Sequence, residues 1–332
     1  MVDMVPDDDQ RLIRESVRTF LDDNAPLARL HGPPGGLRDR HLLPQMGELG
    51  WLALGLSDAA GGLGLGVAEE AILAAECGRA LISPALIATV MAARLAAAEG
   101  LAELTAAILA GTISVGFAVY RDEAPTDGRQ PVLLVDAVAG SPLCLIGETG
   151  VALYPWAAVH DVDPVASLDE TVDLARATLD IENALARGDE VTATHAITLV
   201  AASLSGLAER ACDEAVGYAG IRHQFGRPIG SFQAVKHRCA DMAVRAAAAR
   251  AQTMLAAVAA DDGLDGPGLE AAAAHLVAAS AATANAAAIV QVFGGMGYTA
   301  ECDAHLFVKR AQILIRLAGA EHACCHRLIH AL

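Results

Sequence analysis

The chain has 332 residues, of which 54% are hydrophobic, 19% charged and only 4% aromatic, and its formal net charge is −17. The apolar content excludes a disordered chain, and the length allows two or three packed layers or subdomains. An acidic surface repels phosphate backbones, so nucleic acid is not an expected partner.

Much of the apolar mass is Ala, with Leu and Val, which favours a helix-dominated globular protein. The N-terminus, MVDMVPDDDQ, lacks a basic region followed by an apolar run, so no signal peptide is expected. Asp7–Asp9 then precede an amphipathic run with Leu12, Ile13, Val17, Phe20 and Leu21 on one face, predicting a first helix. Pro33 to Gly36 break the chain. HLLPQMGELGWLALGL returns to helix and stops at the glycine-rich turn Gly61–Gly66. VAEEAILAAECGRAL and SPALIATVMAARLAAAEG predict two further helices, and a shorter one ends at Gly111.

From Thr112 the texture changes. TISVGFAVY, PVLLVDAVAG, PLCLIG and TVDLARATLDI are short, Val-rich and punctuated by Gly, Pro and Asp, and read as strands. From Val191 long helices return, one ending before Gly226-Arg227-Pro228, a second stopped by DDGLDGPG, a third ending at FGG, and a last one from Asp303 to the C-terminus. Small side chains let such helices approach closely. The expected division is a helical domain over 1–111, a reduced β domain over 112–190 and a helical bundle over 191–332.

Several features read as structural. GGLGLG at Gly61–Gly66 loosely matches a dinucleotide loop, but such a loop needs a strand before it. A helix is expected there, so the glycines predict a tight turn. The Ala-rich tract Ala271–Val290 carries His275, Ser280, Thr283 and Asn285, which predicts a buried helix of a soluble protein and no membrane association. The seven cysteines show no CxxC spacing and Cys324 and Cys325 are adjacent, so reduced thiols in a cytoplasmic protein are expected. His322, Cys325, His326 and His330 form the one His/Cys group at ligand spacing, and they are read as structural, with no metal site.

Two stretches carry the functional signal. RHQFGRPIGSFQAVKHRCADM, Arg222–Met242, lies across an acid-free window from Ala215 to Ala240 that holds Arg222, Arg227, Lys236 and Arg238. A guanidinium fork suits a pyrophosphate, and Phe225 offers an apolar face. QVFGGMGYTAE, Gln291–Glu301, ends a helix in a turn where glycines let backbone approach a ligand, and Gln291 can donate and accept. Each stretch alone also fits a plain helix junction.

Together, at their spacing, and with LSDAAGGLGLGVAEEAILAAECGRAL upstream, they resemble the acyl-CoA dehydrogenase family over nearly the whole chain. The resemblance implies a mainly α fold with a small β module: an N-terminal helical domain, a short β domain and a C-terminal four-helix bundle. It implies FAD, an acyl-CoA substrate and an electron-transfer flavoprotein as acceptor. In the family a Glu removes a Cα proton while a hydride leaves Cβ for the flavin, and the FAD tail is gripped by the neighbouring subunit. The residues matching that neighbour-side set are Arg222, Gln224, Phe225, Gln291, Gly294 and Gly295.

The sequence departs from the family where chemistry is done. The two places where members carry the base fall on Ala318 and Ala196, which cannot ionise. Glu123-Ala124-Pro125 is a remnant of the loop that holds the flavin ring, and the β module is short. This pattern resembles the degenerate chains of heterotetrameric members that act on steroid side-chain CoA thioesters. The expectation is a subunit with no catalytic residue of its own, sharing FAD with a catalytic homologue in an α2β2 assembly. The alternatives are a self-sufficient homomeric enzyme using Glu321 or Glu190 as a relocated base, and a flavin-free structural or binding protein.

Overall fold

The computed structural model describes residues 5–32, 38–125, 128–147, 150–263, 266–318, 324–325 and 328–329. The order of elements is helices, a sheet, then helices. The first group is α1 (Asp8–Asn24), α2 (Leu43–Glu48), α3 (Val67–Arg79), α4 (Ala85–Ala98) and α5 (Ala102–Leu109). Asp7 and Gln10 close a capping box on α1: the Gln10 N–H donates to Asp7 Oδ1 at 2.8 Å and the Asp7 N–H to Gln10 Oε1 at 3.3 Å. The single helix expected from His41 to Leu56 is instead α2 flanked by 3-10 turns, Arg38–Leu42 and Trp51–Ala53. Gly50 sits between them at φ +77°, a conformation that stops an α-helix.

Seven strands form one sheet: β1 (Gly116–Tyr120), β2 (Gln130–Val135), β3 (Leu143–Ile146), β4 (Val151–Tyr154), β5 (Val159–Val165), β6 (Leu174–Leu179) and β7 (Ala186–Gly188). Their order is β5-β6-β2-β1-β3-β4-β7, antiparallel except for the β1–β3 pair. Both faces are covered. Phe117, Cys144, Ile146 and Leu153 join the main core on one side, while Ala118, Leu143, Leu145, Ala152 and Tyr154 build a second core on the other. This period-two division explains why central strands read as continuous apolar runs.

The second helical group is α6 (Glu190–Ile221), a hairpin of β8 (His223–Gln224) and β9 (Arg227–Pro228), α7 (Gln233–Asp261), α8 (Pro267–Phe293) and α9 (Ala304–Leu317). Among the described residues two helices are long and apolar enough to cross a membrane, and both belong to this bundle: 89% of the most apolar window of α6 and 50% of that in the α8 region are buried. Small residues set the spacing. A Cβ on Gly206 of α6 would stand 1.8 Å from the Ala75 carbonyl oxygen of α3, and one on Gly78 would stand 2.0 Å from the Ser203 carbonyl oxygen. No larger side chain fits at that crossing.

A buried polar node ties the layers together. Arg310 on α9 is fully buried; its Nε donates to Asp169 at 2.7 Å, one Nη to the Leu81 and Ile82 carbonyls at 2.6 Å each, and the other to Thr171 Oγ1 at 2.7 Å. Ser83 donates to Asp136 Oδ2 at 2.5 Å, and Leu81 and Asp136 both adopt positive φ, +52° and +48°. Burial pushes the Asp136 carboxyl up to about 6 despite these donors.

Candidate functional site

The first candidate place is the end of the bundle where α6 leaves for the hairpin and α8 meets its glycine turn. Tyr218, one turn before Arg222, stacks on Phe293 with ring centroids 4.0 Å apart and planes 14° off parallel. The Tyr218 hydroxyl donates to Met296 Sδ at 3.5 Å. This clasp brings the Arg222–Phe225 segment and the Gln291–Gly295 segment to one end of the fold, joining residues that are about seventy apart in sequence.

All six sequence-predicted residues lie at or near the surface there. Arg222, Gln224 and Gln291 are exposed and make no side-chain hydrogen bond to any described residue. Phe225 is 91% exposed and holds φ +52° at the tip of the hairpin, beside Gly226 at φ +75°. An aromatic side chain in the left-handed region is strained, and here its ring contact among the described residues is an edge-on approach to Phe232, centroids 6.1 Å apart. Gly294 takes φ +63° and ψ −137°, outside the range of other residues. A Cβ on Gly294 or Gly295 would meet no atom within 4 Å, so their backbone faces open space. Gly297 differs: its Cβ would stand 2.7 Å from the Val290 carbonyl oxygen, so it serves close packing. Of the nearby cations, Arg227 is engaged within the chain, its guanidinium 4.2 Å from the centre of the Phe232 ring. Free guanidinium and amide donors beside open glycine backbone and an exposed ring fit a ligand with an anionic linker and a flat base, as the FAD tail is.

The second candidate place is an apolar cleft between α3, α4, α6 and α9, with about 470 Å³ of unfilled space, its open mouth included. Leu199 and Leu314 line it, and they lie within one turn of Ala196 and Ala318. Both alanines are buried, 0% and 4% exposed. Among the described residues the one carboxylate in the cleft wall is Glu70. Its oxygens accept the Gly55 N–H at 3.0 Å and Arg94 Nη2 at 3.2 Å, and His195 Nε2 lies directly against Oε2. Burial pushes the Glu70 carboxyl up, but the His195 and Arg94 partners outweigh it and hold it below the usual carboxylate range. A carboxylate so surrounded by donors is a weak proton acceptor. The other polar groups of the wall are also engaged: Ser203 donates to the Ala74 carbonyl at 3.0 Å, Ser83 to Asp136, and Arg310 to four acceptors.

Sequence reasoning missed the Glu70–Arg94–His195 cluster. The acid pair Glu69-Glu70 reads as first-turn helix charge, and nothing in one chain marks which of the two turns inward. Of the alternative bases, Glu190 is exposed in the first turn of α6, away from the cleft wall. Glu321 lies outside the described residues, as do His322, His326 and His330. Gly61–Gly66 forms a turn between a 3-10 turn and α3, with no strand before it, so the dinucleotide-loop pattern has no structural basis here.

Comparison with known proteins places this fold. Residues 7–115 match the family "Acyl-CoA dehydrogenase, N-terminal domain" and residues 191–331 match "Acyl-CoA dehydrogenase, C-terminal domain". The chain is 34% identical over 330 residues to acyl-CoA dehydrogenase IpdE2 of Mycobacterium tuberculosis, covering 98% of each protein. Among solved structures it resembles the ChsE4-ChsE5 complex of Mycobacterium tuberculosis, with a TM-score of 0.81, 22% identity and coverage of 99% and 98%. It likewise resembles the Tcur3481-Tcur3483 steroid ACAD G363A variant, with a TM-score of 0.81, 24% identity and 97% of each chain covered. Matched at both ends by the family's own domains, and along almost its whole length by a curated member, the chain belongs to the acyl-CoA dehydrogenases, a family of FAD-binding oxidoreductases.

Proposed function

We propose that this chain is the non-catalytic member of a two-component, FAD-dependent acyl-CoA dehydrogenase, completing the cofactor site of a catalytic homologue in an α2β2 assembly. The observation that carries the reading is the contrast between the two places. Among the described residues, the bundle end has donors with no partner, while the cleft beside Ala196 and Ala318 offers only a carboxylate saturated by donors. FAD, when bound, supplies the hydride-accepting ring. This chain contributes Arg222 toward the pyrophosphate, Gln291 with the Gly294–Gly295 backbone toward the adenosine side, and Gln224 and Phe225 beside them. The named complex and the steroid enzyme among the structural neighbours support a partner subunit and a steroid side-chain CoA thioester as substrate. An electron-transfer flavoprotein would then reoxidise the flavin, in the cytoplasm. The division is 1–111, 112–190 and 191–332, and the short middle part keeps only a remnant, Glu123-Ala124-Pro125, of the family's flavin-ring loop.

The test is co-purification with a full-length family homologue carrying the base, followed by a flavin count. One FAD per heterodimer is expected. One FAD per chain, or dehydrogenase activity of this chain alone, overturns the proposal. Within the complex Arg222→Ala lowers flavin occupancy, and unchanged occupancy removes Arg222 from the site.

A further inference from the structure

A second recess, separate from both places, lies between α1, α3, α6 and α7, with about 340 Å³ of unfilled space counted to its mouth. Its wall carries Arg14, Glu76, Ser205, Glu209, Arg250 and Thr253. The acids there are already engaged. Glu76 accepts two Arg18 N–H groups at 2.7 and 2.9 Å and lies 3.5 Å from Arg79 Nε. Glu209 accepts Arg250 at 2.9 Å and Arg79 at 3.4 Å, and Asp213 accepts Arg79 at 2.7 Å. Four guanidinium groups (Arg14, Arg18, Arg79, Arg250) thus face three carboxylates, leaving the network one positive charge in excess.

Arg250 is spent on Glu209, but other donors of the wall have capacity left. Arg14 makes no hydrogen bond to any described residue, and its nearest acid, Glu76, is 3.9 Å away. Thr253 is 3% exposed, and its hydroxyl has no partner among the described residues. A helical threonine usually spends its hydroxyl on the carbonyl four residues back. Thr89, Thr105 and Thr198 do so here, at 2.7, 3.0 and 2.9 Å, and Thr253 does not. Ser205, 2% exposed, adds a second hydroxyl to the same wall. Buried donors without acceptors are costly and rare.

We propose that this recess is a binding site for a small oxyanion, held by the Arg14 guanidinium and by the Thr253 and Ser205 hydroxyls. A planar guanidinium pairs with two oxygens of one anion, and the two hydroxyls supply donors for the others. One anionic charge balances the surplus of the network. Bound there, the anion bridges α1 to α6 and α7 and fastens the N-terminal helix to the bundle.

The experiment titrates the full-length protein with inorganic phosphate at constant ionic strength, by calorimetry and phosphorus NMR. It is run on an Arg222→Ala background so that the bundle end does not take up the probe, with acetate as a parallel arm. One saturable site is expected, weakened about tenfold or more by Arg14→Gln and by the isosteric Thr253→Val. The tighter of phosphate and acetate names the class of oxyanion. The proposal is overturned if neither anion binds in the millimolar range, or if both variants bind as the parent does.

Discussion

Asp261, the last residue of α7, caps α3 from the far side of the sequence: its Oδ1 accepts the Val67 N–H at 2.6 Å and its Oδ2 the Ala68 N–H at 2.9 Å. The first N–H groups of a helix have no partner within it, and Gly66, at the cap position, has no side chain to offer. A Cβ on Gly66 would stand 2.4 Å from Asp261 Oδ2, so a larger residue there would push the capping carboxylate aside. Asp261→Ala is expected to cost about 1 kcal/mol, read as a lower urea midpoint. An unchanged midpoint sinks the capping role.

The α3–α6 crossing makes a paired prediction. Gly206→Ala drives a methyl group into the Ala75 carbonyl and should destabilise by about 1–3 kcal/mol. Gly217 lies in the same helix, and the methyl group that alanine would add there meets nothing within 4 Å. Gly217→Ala should therefore stabilise by up to about 1 kcal/mol. Calorimetric melting temperatures moving in the same direction would refute the assignment of Gly206 to helix contact.

Arg310→Met removes the counter-charge of Asp169 and takes the donor from Asp169 Oδ2 and the Ile82 carbonyl, while Arg29 still reaches the Leu81 carbonyl at 3.2 Å. Breaking a buried pair in this way costs about 3–5 kcal/mol. Chemical denaturation of the variant is the measurement, and a loss under about 1 kcal/mol would show that the node is not essential to the layer junction.

Asp136 gives a pH dependence. Its folded carboxyl stands at about 6, above the ordinary 3.8, because burial disfavours the charge. Its contribution to stability is therefore fully present below about pH 4 and is lost as pH rises through about 6, by at most about 3 kcal/mol. Asp136→Asn cannot ionise and tolerates the positive φ. Its stability relative to the parent should rise between pH 5 and pH 7.5. A difference that stays flat across that interval rules the titration out.

Legibility follows the kind of signal. Long, periodic helices such as α3, α4, α7 and α8 are plain in the sequence, because one face or the whole girth is apolar. β5 is not, since it is an edge strand with His160, Asp161, Asp163 and Pro164, a register shift between His160 and Asp163, and Asp161 at φ +54°. Edge strands carry such charges and prolines to avoid pairing with other chains, and that camouflage hides them from pattern reading. β4 and β7 escape it because three or four residues carry too little pattern. At the bundle end the residue types are legible, while the Tyr218–Phe293 clasp that brings them together is not. The polar node around Arg310 joins residues more than two hundred apart, and no local pattern in one chain encodes that.

The contact at Gly206 and Gly78 has a mechanical meaning for the cleft. Residues of α3 and α6 form one of its walls, and these two helices already touch backbone to backbone on the glycine side. That wall has no slack to retreat. Any ligand wider than the crevice must displace the walls opposite, formed by Leu86, Ile87 and Val90 of α4 and Leu314 of α9. The Leu81–Ser83 turn before α4 is held by Arg310 and Asp136, so the rigid part of the jaw is that turn together with the wall set by two missing methyl groups.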